Sequence, residues 1–374
     1  MKYRLKPTKA QAHQLDSQLE ECRCLYNHFL AKRKQAWEER QESLTYNTQA
    51  LTLPGLKAGC PDLSLVHSQV LQNVAVRIDL AFKAFFRRRK AGEDKPGSPR
   101  FRGYGRYDSM TFPQYGNGCQ LVDGVLKVSK VGALRVIQHR SLEGTPKTCT
   151  IRRSSTGKWY VTIVCEGDAQ ALPATGEAVG IDVGLLSFAT FSTGESTPCP
   201  KCLRTDEKDL KRTQRKLSAA TQGTPARQKR RKIVARVHER IGHRRGNFLH
   251  QESRRVVNRF EVIAVEDLAV HKMVHNHCLA KSIQDAAWSQ FATFLSYKAA
   301  WAGRTFVAVN PAYTSQDCSG CGHRQKKTLA ERVHRCACCG LTLDRDHNAA
   351  VNILSLGLQA LGLVPRSSGV YAGE

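Results

Sequence analysis

The sequence predicts a multidomain α+β protein: a first half of basic amphipathic helices and short antiparallel strands, then a mixed half interrupted by long basic helices. Three observations predict it. The 374 residues suffice for two or three domains. Helical and strand periodicities alternate along the chain instead of one dominating. A breaker-containing stretch from Ala169 to Glu177, with Pro173 and Gly176, separates two different patterns. Apolar residues make up 41% and charged residues 24%, which excludes a disordered basic tail. The 58 Lys and Arg against 32 Asp and Glu leave a net charge of +26, which calls for an anionic partner, nucleic acid or an acidic membrane surface. No run approaches the roughly 18 to 20 apolar residues that span a bilayer. MKYRLKPTKAQ lacks the apolar stretch of a signal peptide, so a cytoplasmic protein with no membrane role is expected.

Residues 10 to 40 carry Leu15, Leu19, Cys22, Tyr26 and Phe29 on a helical stripe, followed by Lys32, Arg33 and Lys34. Residues 64 to 90 repeat the pattern with Val66, Val70, Val74, Ile78, Phe82 and Phe85, and end in Arg87, Arg88, Arg89 and Lys90. Basic residues complement a helix C-terminus, but four in succession exceed that need and read as phosphate contacts. Gly92, Pro96, Gly97, Pro99 and Gly103 then break the chain. From about 108 to 165 short β-forming runs follow, with a hairpin around Ser155 to Lys158. A small antiparallel barrel or sheet over residues 1–170 is expected, with a helical insert at about 10–95.

Beyond the linker, VGIDVGLLSFATFSTGE reads as two strands with a tight connection, EVIAVEDL (261–268) as a third and RTFVAVN (304–310) as a fourth. A helix runs from about Asn348 to Ala360. Between Lys201 and Arg245 sixteen basic residues face four acids, with Leu210, Leu217, Ile233, Val237 and Ile241 at apolar positions. Long helices over 203–258, with one buried and one positive face, are expected. A merely solvated face would mix in more Glu. The predicted nucleic-acid contacts are therefore Lys211, Arg212, Arg215, Lys216, Arg227, Lys229, Arg230, Arg231 and Lys232, together with Arg87, Arg88, Arg89 and Lys90.

Of the fourteen cysteines, six fall in C-x-x-C pairs. Cys318, Cys321, Cys336 and Cys339 form two knuckles that complete a tetrahedral Zn²⁺ and leave no open position, so the site is structural. Cys338 competes for the fourth bond; Gly340 after Cys339 mirrors Gly322 after Cys321 and favours Cys339. Cys199 and Cys202 have no matching pair and read as unligated surface thiols. Asp182 and Glu266 end apolar strands, and Asp344 and Asp346 precede the last helix. A buried carboxylate needs a compensating charge, and acids at three separate places suggest a shared Mg²⁺ or Mn²⁺. Plainer alternatives are that Asp346 caps the helix, Glu266 pairs with an Arg, and Asp182 hydrogen-bonds a turn.

GIDVGL around Asp182, VEDL around Glu266, TSQDCSGCGHR, CACCG and DRDHNAAVNIL, in this order, resemble the RuvC-type nuclease domain of the TnpB/OrfB family of insertion-sequence proteins, relatives of type V CRISPR effectors. The resemblance extends to SIQDAAWSQF (282–291) and YKAAWAG (297–303), and more weakly to the Gln72-to-Phe86 helix and PRFRG at 99–103, so it covers most of the chain. It implies a wedge-like N-terminal β-barrel with an inserted helical recognition lobe, then an RNase H-like (RuvC) α/β nuclease domain over 171–374 that holds the basic helices and a zinc ribbon inserted at about 314–342. The acidic triad it implies is Asp182, Glu266 and, from the D-x-N-A-A pattern, Asp346 rather than Asp344. Also implied are two Mg²⁺ or Mn²⁺ ions, one structural Zn²⁺, a nucleoid-associated place in a prokaryotic cytoplasm, and RNA-guided cleavage of DNA. In that activity a transposon-encoded guide RNA pairs with one strand of a double-stranded DNA target beside a short flanking motif recognised by the protein. Cys199-Pro200-Lys201-Cys202 and Cys338 depart from the family pattern. Alternative functions are a cleavage-inactive RNA-guided DNA-binding repressor and an unguided transposon-associated DNase; a zinc-ribbon transcription factor leaves Asp182 and Glu266 unexplained. The sequence does not fix oligomeric state, a monomer per RNA or a dimer. The tail, 362–374, is expected to be disordered.

Overall fold

The computed structural model describes residues 1–328 and 331–363, in two compact units, Met1–Asp168 and Ala169–Glu374. The expected disordered tail lies, from residue 364 on, outside the described residues. Among the described residues no helix is long and apolar enough to cross a membrane.

The first unit begins with β1 (Lys2–Lys6). Next come helices α1 (Lys9–Arg40), α2 (Tyr46–Ala50) and α3 (Leu53–Gly59), a 3₁₀ turn at Pro61–Leu65, and α4 (Ser68–Lys90). Six strands complete it: β2 (Ser109–Phe112), β3 (Cys119–Val122), β4 (Val125–Val128), β5 (Gly132–Ile137), β6 (Thr145–Arg153) and β7 (Trp159–Glu166). Their order, β2-β6-β7-β1-β5-β4-β3, puts β1 in the middle of an antiparallel sheet, between β7 and β5. The helices are thus an insertion between two strands of one sheet. The sheet curls until its edge strand β3 reaches β6, where Cys119 Sγ lies 2.8 Å from Cys149 Sγ and Tyr115 N donates to Lys147 O over 2.8 Å. This gives the unit its barrel form.

α1 starts where Thr8 accepts from Gln11 N and Gln11 Oε1 accepts from Thr8 N, a capping box. The predicted stripe Leu15, Leu19, Cys22, Tyr26 and Phe29 is buried against Val66, Val70, Val74 and Ile78 and the barrel interior. Two details differ from expectation. The second helix begins at Ser68 rather than 64, because Pro61 opens a 3₁₀ turn and His67 caps the helix by accepting from Gln69 N. Arg33 is buried, donating to Gln49 Oε1 at 2.8 Å and Asp79 at 3.3 Å, so it ties α1 to α2 and α4.

The second unit opens with β8 (Ala178–Val183), β9 (Ser187–Phe191) and β10 (Ser196–Pro198), followed by α5 (Cys202–Ser218) and α6 (Pro225–Arg259). Then come β11 (Val262–Glu266), α7 (Val270–Met273), α8 (Ala280–Ala286), α9 (Trp288–Trp301) and β12 (Thr305–Val309). A small hairpin, β13 (Val333–Arg335) and β14 (Thr342–Asp344), leads into α10 (Arg345–Ala360). The main sheet has the order β10-β9-β8-β11-β12, antiparallel through the first three strands and parallel from β8 to β12. That is the order of an RNase H-like sheet. Its core gathers Val179, Ile181, Phe188, Phe191, Ile263, Phe291 and Leu295.

Candidate active site and cysteine cluster

Parallel pairing sets Val265 of β11 opposite Ile181 of β8, so the next residues, Glu266 and Asp182, stand at the same carboxyl edge of the sheet. Ligand sites in open α/β sheets form at that edge. α10 brings the third acid by lying close on the sheet at two glycines. A Cβ at Gly180 would come within 2.1 Å of Ala350 O, and one at Gly357 within 2.5 Å of the Ala264 Cβ. This approach puts Asp346, in the first turn of α10, within electrostatic reach of Asp182.

Burial pushes the Asp182 carboxyl well above the usual carboxylate range, and repulsion from Glu266 and Asp346 adds to it; Arg345 and the Val183 amide oppose. Glu266 is also raised by burial, opposed by the Thr314 hydroxyl, which donates to Oε1 over 2.5 Å. Arg345 and Arg332 lie 3.4 and 4.0 Å from the Asp346 carboxylate. The helix cap is Asp344, whose Oδ1 accepts from Asp346 N at 2.8 Å and His347 N at 3.2 Å. The plainer reading of Asp346 as cap is thereby corrected: the helix begins at Arg345, three residues earlier than expected, and the residue before it does the capping. Two carboxyls raised by burial, with a third acid repelling one of them, suit a multivalent cation with oxygen ligands. A cavity of about 470 Å³ adjoins Glu266, lined in part by Asp267, Trp288, Phe291, Tyr297 and Phe306.

Cys318, Cys321, Cys336 and Cys339 have their sulfurs all within 4.8 Å of one another. Among the described residues this is the only set of three or more His, Cys, Asp or Glu so tightly drawn, and the carboxylates of 182, 266 and 346 are spread more widely. Gly322 and Gly340, with φ of 73° and 74°, supply the left-handed turns that close the knuckles. Backbone N–H groups of Cys339 and Cys338 lower the Cys336 thiol to about 6, favouring the thiolate that binds metal. The reading of Cys199 and Cys202 as surface thiols is corrected in part: Cys202 is buried between α5 and α6 with Val237 and Ile241.

The basic segment folds as the α5–α6 pair. Asp206 bridges to Arg240 (2.7 Å) and Arg244 (2.8 Å), and Asp209 to Arg212 (2.7 Å) and Arg240 (3.1 Å). Lys211 pairs with Glu207 at 3.1 Å. Arg227 donates to Ala220 O and Leu217 O, and Arg230 to Lys216 O, so both satisfy carbonyls at the end of α5. Lys229, Arg231, Lys232, Arg215 and Lys216 are exposed. Of the predicted apolar face, Val237 and Ile241 are buried, but Ile233, nearer the tip, is 38% exposed. In the first unit Arg87, Arg89 and Lys90 are exposed at the end of α4, and Arg88 donates to Gly97 O at 2.7 Å.

Sequence reasoning missed the residues around the acids: Thr314, which donates to Glu266, Arg345, which pairs with Asp346, and Asn348 and Asn352, which bond the backbone at Thr314 and Asp317. One signal was available. Two Asn four apart in NAAVNIL fall inside a helix, where Asn is a poor former, and share one face, which points to a specific role for their amides.

Comparison with known proteins agrees with this architecture. Residues 162–277 match the OrfB family of IS605 elements, described as "Probable transposase", and 288–353 match a "Cas12f1-like, TNB domain". Residues 1–42 match a "Helix-turn-helix domain", although here they form a strand and one long helix. A Streptomyces pristinaespiralis protein named "Putative RNA-guided DNA endonuclease" is 37% identical over 96% of this chain and 89% of its own. A similarly named Escherichia coli K12 protein, with the suffix InsQ, is 30% identical over 95% of this chain and 91% of its own. The CRISPR-associated endodeoxyribonuclease Cas12f1 of Sulfoacidibacillus thermotolerans is 28% identical over 59% of this chain and 56% of its own. The fold is also that of a cryo-EM structure of a Cas12f1–sgRNA–target DNA complex, at a TM-score of 0.55 and 15% identity over 91% of this chain and 82% of that one. With near full-length identity to such relatives added to its own sheet order and motifs, the chain belongs to the TnpB/OrfB family of insertion-sequence proteins.

Proposed function

We propose that this protein is an RNA-guided DNA endonuclease whose hydrolytic centre is Asp182, Glu266 and Asp346. The observation that carries the reading is the convergence of three carboxylates from distant parts of the chain on one sheet edge, where Asp182 is repelled by the other two. The naming of near full-length relatives as RNA-guided DNA endonucleases supplies the substrate class. Such repulsion fits two Mg²⁺ or Mn²⁺ ions, held by these three side chains. When bound, divalent ions supply Lewis acidity and lower the pKa of a ligated water. The chain's own residues orient this centre: Thr314 fixes the Glu266 carboxylate, Arg345 and Arg332 face Asp346, and Asp344 fixes the first turn of α10.

Four converging sulfurs, one with a lowered pKa, fit one structural Zn²⁺ bound by Cys318, Cys321, Cys336 and Cys339. The exposed basic residues of α5, α6 and the α4 end would hold guide RNA and the RNA–DNA heteroduplex by phosphate contacts, leaving sequence reading to base pairing. The test is cleavage of a matched supercoiled plasmid by guide-loaded protein in Mg²⁺ and in EDTA, with target binding measured in parallel. Wild-type protein that binds target without cutting it would make it a repressor. Cutting that survives RNase treatment of the complex would make it an unguided DNase.

A further inference from the structure

We infer that Thr314 is a positioning residue for Glu266, and that the amides of Asn348 and Asn352 anchor it by joining α10 to the segment that leads into the cysteine cluster. The inference rests on the reading of Glu266 as a member of the hydrolytic centre. Thr314 Oγ1 lies 2.5 Å from Glu266 Oε1 and 3.2 Å from Pro311 O. A hydroxyl has one proton, and the shorter, charge-assisted contact takes it. That donation selects one orientation of the carboxylate. Thr314 is only 4% exposed, so water does not compete for the bond.

The backbone around Thr314 is held from two sides. Asn352 Nδ2 donates to Thr314 O at 2.8 Å and to Asp317 O at 2.7 Å, and Asn348 Nδ2 donates to Asp317 O at 2.8 Å. The Asn348 Oδ1 accepts from Ser319 N at 3.0 Å, inside the first knuckle. One helical turn separates the two asparagines, so one face of α10 grips three successive points of the incoming chain. On the other side, Tyr313 has φ of 67°, a left-handed conformation that is costly for a bulky residue. Arg324 stacks 3.6 Å over its ring and pairs with Asp317 at 2.6 Å. A strained residue beside a buried hydroxyl whose proton goes to Glu266 indicates that the surrounding contacts dictate where Thr314 points. The cysteine segment therefore has a second task besides folding, which is to deliver one hydroxyl to one carboxylate.

The experiment measures Mn²⁺ binding to RNA-free, full-length protein by electron paramagnetic resonance of the free ion, with zinc content, thermal unfolding and target cleavage followed in the same preparations. Removing a partner that orients a metal ligand costs about 10- to 100-fold in metal affinity. Thr314→Val should show a loss of that size in Mn²⁺ affinity, with zinc content unchanged; Thr314→Ser, which keeps the hydroxyl, should restore wild-type binding. Asn352→Leu should weaken Mn²⁺ in the same direction by a smaller factor. Wild-type Mn²⁺ affinity in Thr314→Val would overturn the inference, as would a Thr314→Ser protein as weak as the valine variant, since the methyl rather than the hydroxyl would then matter. The parent reading fails differently: wild type and Asp182→Ala would bind Mn²⁺ equally.

Discussion

The cysteine cluster draws its four sulfurs from two knuckles whose nearest members, Cys321 and Cys336, are fifteen residues apart, whereas the carboxylates come from residues 182, 266 and 346 on two strands and a helix. The sulfurs close to within 4.8 Å of one another; the carboxylates face each other across a wider gap, and burial raises both Asp182 and Glu266. A local motif can complete a ligand sphere from its own turns. A distributed one exists only when the whole sheet and its covering helix are correct, and it remains electrostatically strained. That difference predicts opposite responses to mutation.

The largest effect should come from the distributed site. Asp182→Ala, Glu266→Ala or Asp346→Ala should each lower plasmid cleavage by about 10³-fold or more, because metal-ion stabilisation of the transition state is worth several kcal/mol. Target binding should persist. Removing mutual repulsion should also help the fold. A carboxyl raised in the folded state keeps its proton to higher pH than in the unfolded chain, so its contribution to stability falls as pH rises from the unfolded value through the raised one. Asp182→Asn should therefore raise the melting temperature of metal-free protein at neutral pH, by roughly 2–4 °C for about 1 kcal/mol in a unit of this size. A lower melting temperature would refute the strain.

In the cysteine cluster the signs reverse. Structural zinc contributes about 10 to 16 kcal/mol of apparent folding free energy, so chelation should unfold this segment instead of stabilising it. Hydrogen exchange at residues 314–322 before and after chelation reads this directly. Unchanged protection would mean that the sulfurs hold nothing.

How legible the two sites were in the sequence follows the same division. The C-x-x-C spacings pick out the four sulfurs that the fold brings together, and the turns at Gly322 and Gly340 were readable from position alone. Asp182, Glu266 and Asp346 were recognisable because each motif has its own flanking pattern. Their supports were not, since Thr314 and Asn352 acquire meaning only through contacts 48 and 38 residues away in sequence. In the fold, the strongly periodic helices and the strands around Asp182 and Glu266 were readable. β1 was not, because KYRLK carries three charges in five residues; only the pairing on both sides reveals that Tyr3 and Leu5 face inward while Lys2, Arg4 and Lys6 face solvent. Within the basic pair of helices, composition could not separate Arg227 and Arg230, which satisfy α5 carbonyls, from exposed Lys229, Arg231 and Lys232.

That separation is testable by salt. Changing Lys229, Arg231 and Lys232 to Gln should reduce the slope of log K against log salt for RNA by about one for each phosphate that is no longer neutralised. Arg230→Gln should instead cost hairpin stability with less change in slope. Equal slopes for wild type and the triple variant would move the RNA to another surface.

At the cap, the expected effect is smaller. Asp344 serves α10 through two backbone amides, and Asn accepts such bonds nearly as well as Asp. Asp344→Asn should leave cleavage close to wild type, and Asp344→Ala should cost about 1 kcal/mol of stability through the lost cap. Loss of cleavage in Asp344→Asn with stability retained would show that the aspartate at 344, not that at 346, belongs to the hydrolytic centre.

The smallest effect is expected at Cys338, inside the second knuckle. Spacing alone leaves it in competition with Cys339, and in the sequence only the following Gly340 favours the latter. The fold separates them by function of backbone and side chain: the Cys339 sulfur joins the cluster, while Cys338 turns outward and contributes its N–H, which approaches Cys336 Sγ at 3.4 Å. A serine at 338 keeps that N–H and removes only an exposed thiol. Cys338→Ser should therefore retain one zinc per chain and wild-type unfolding, whereas Cys339→Ser should lose zinc. Proline at 338 removes the N–H, so Cys338→Pro should weaken zinc retention even though no sulfur ligand has been touched. Elemental analysis of the three proteins decides the matter. Zinc lost from Cys338→Ser but kept in Cys339→Ser would reverse the assignment.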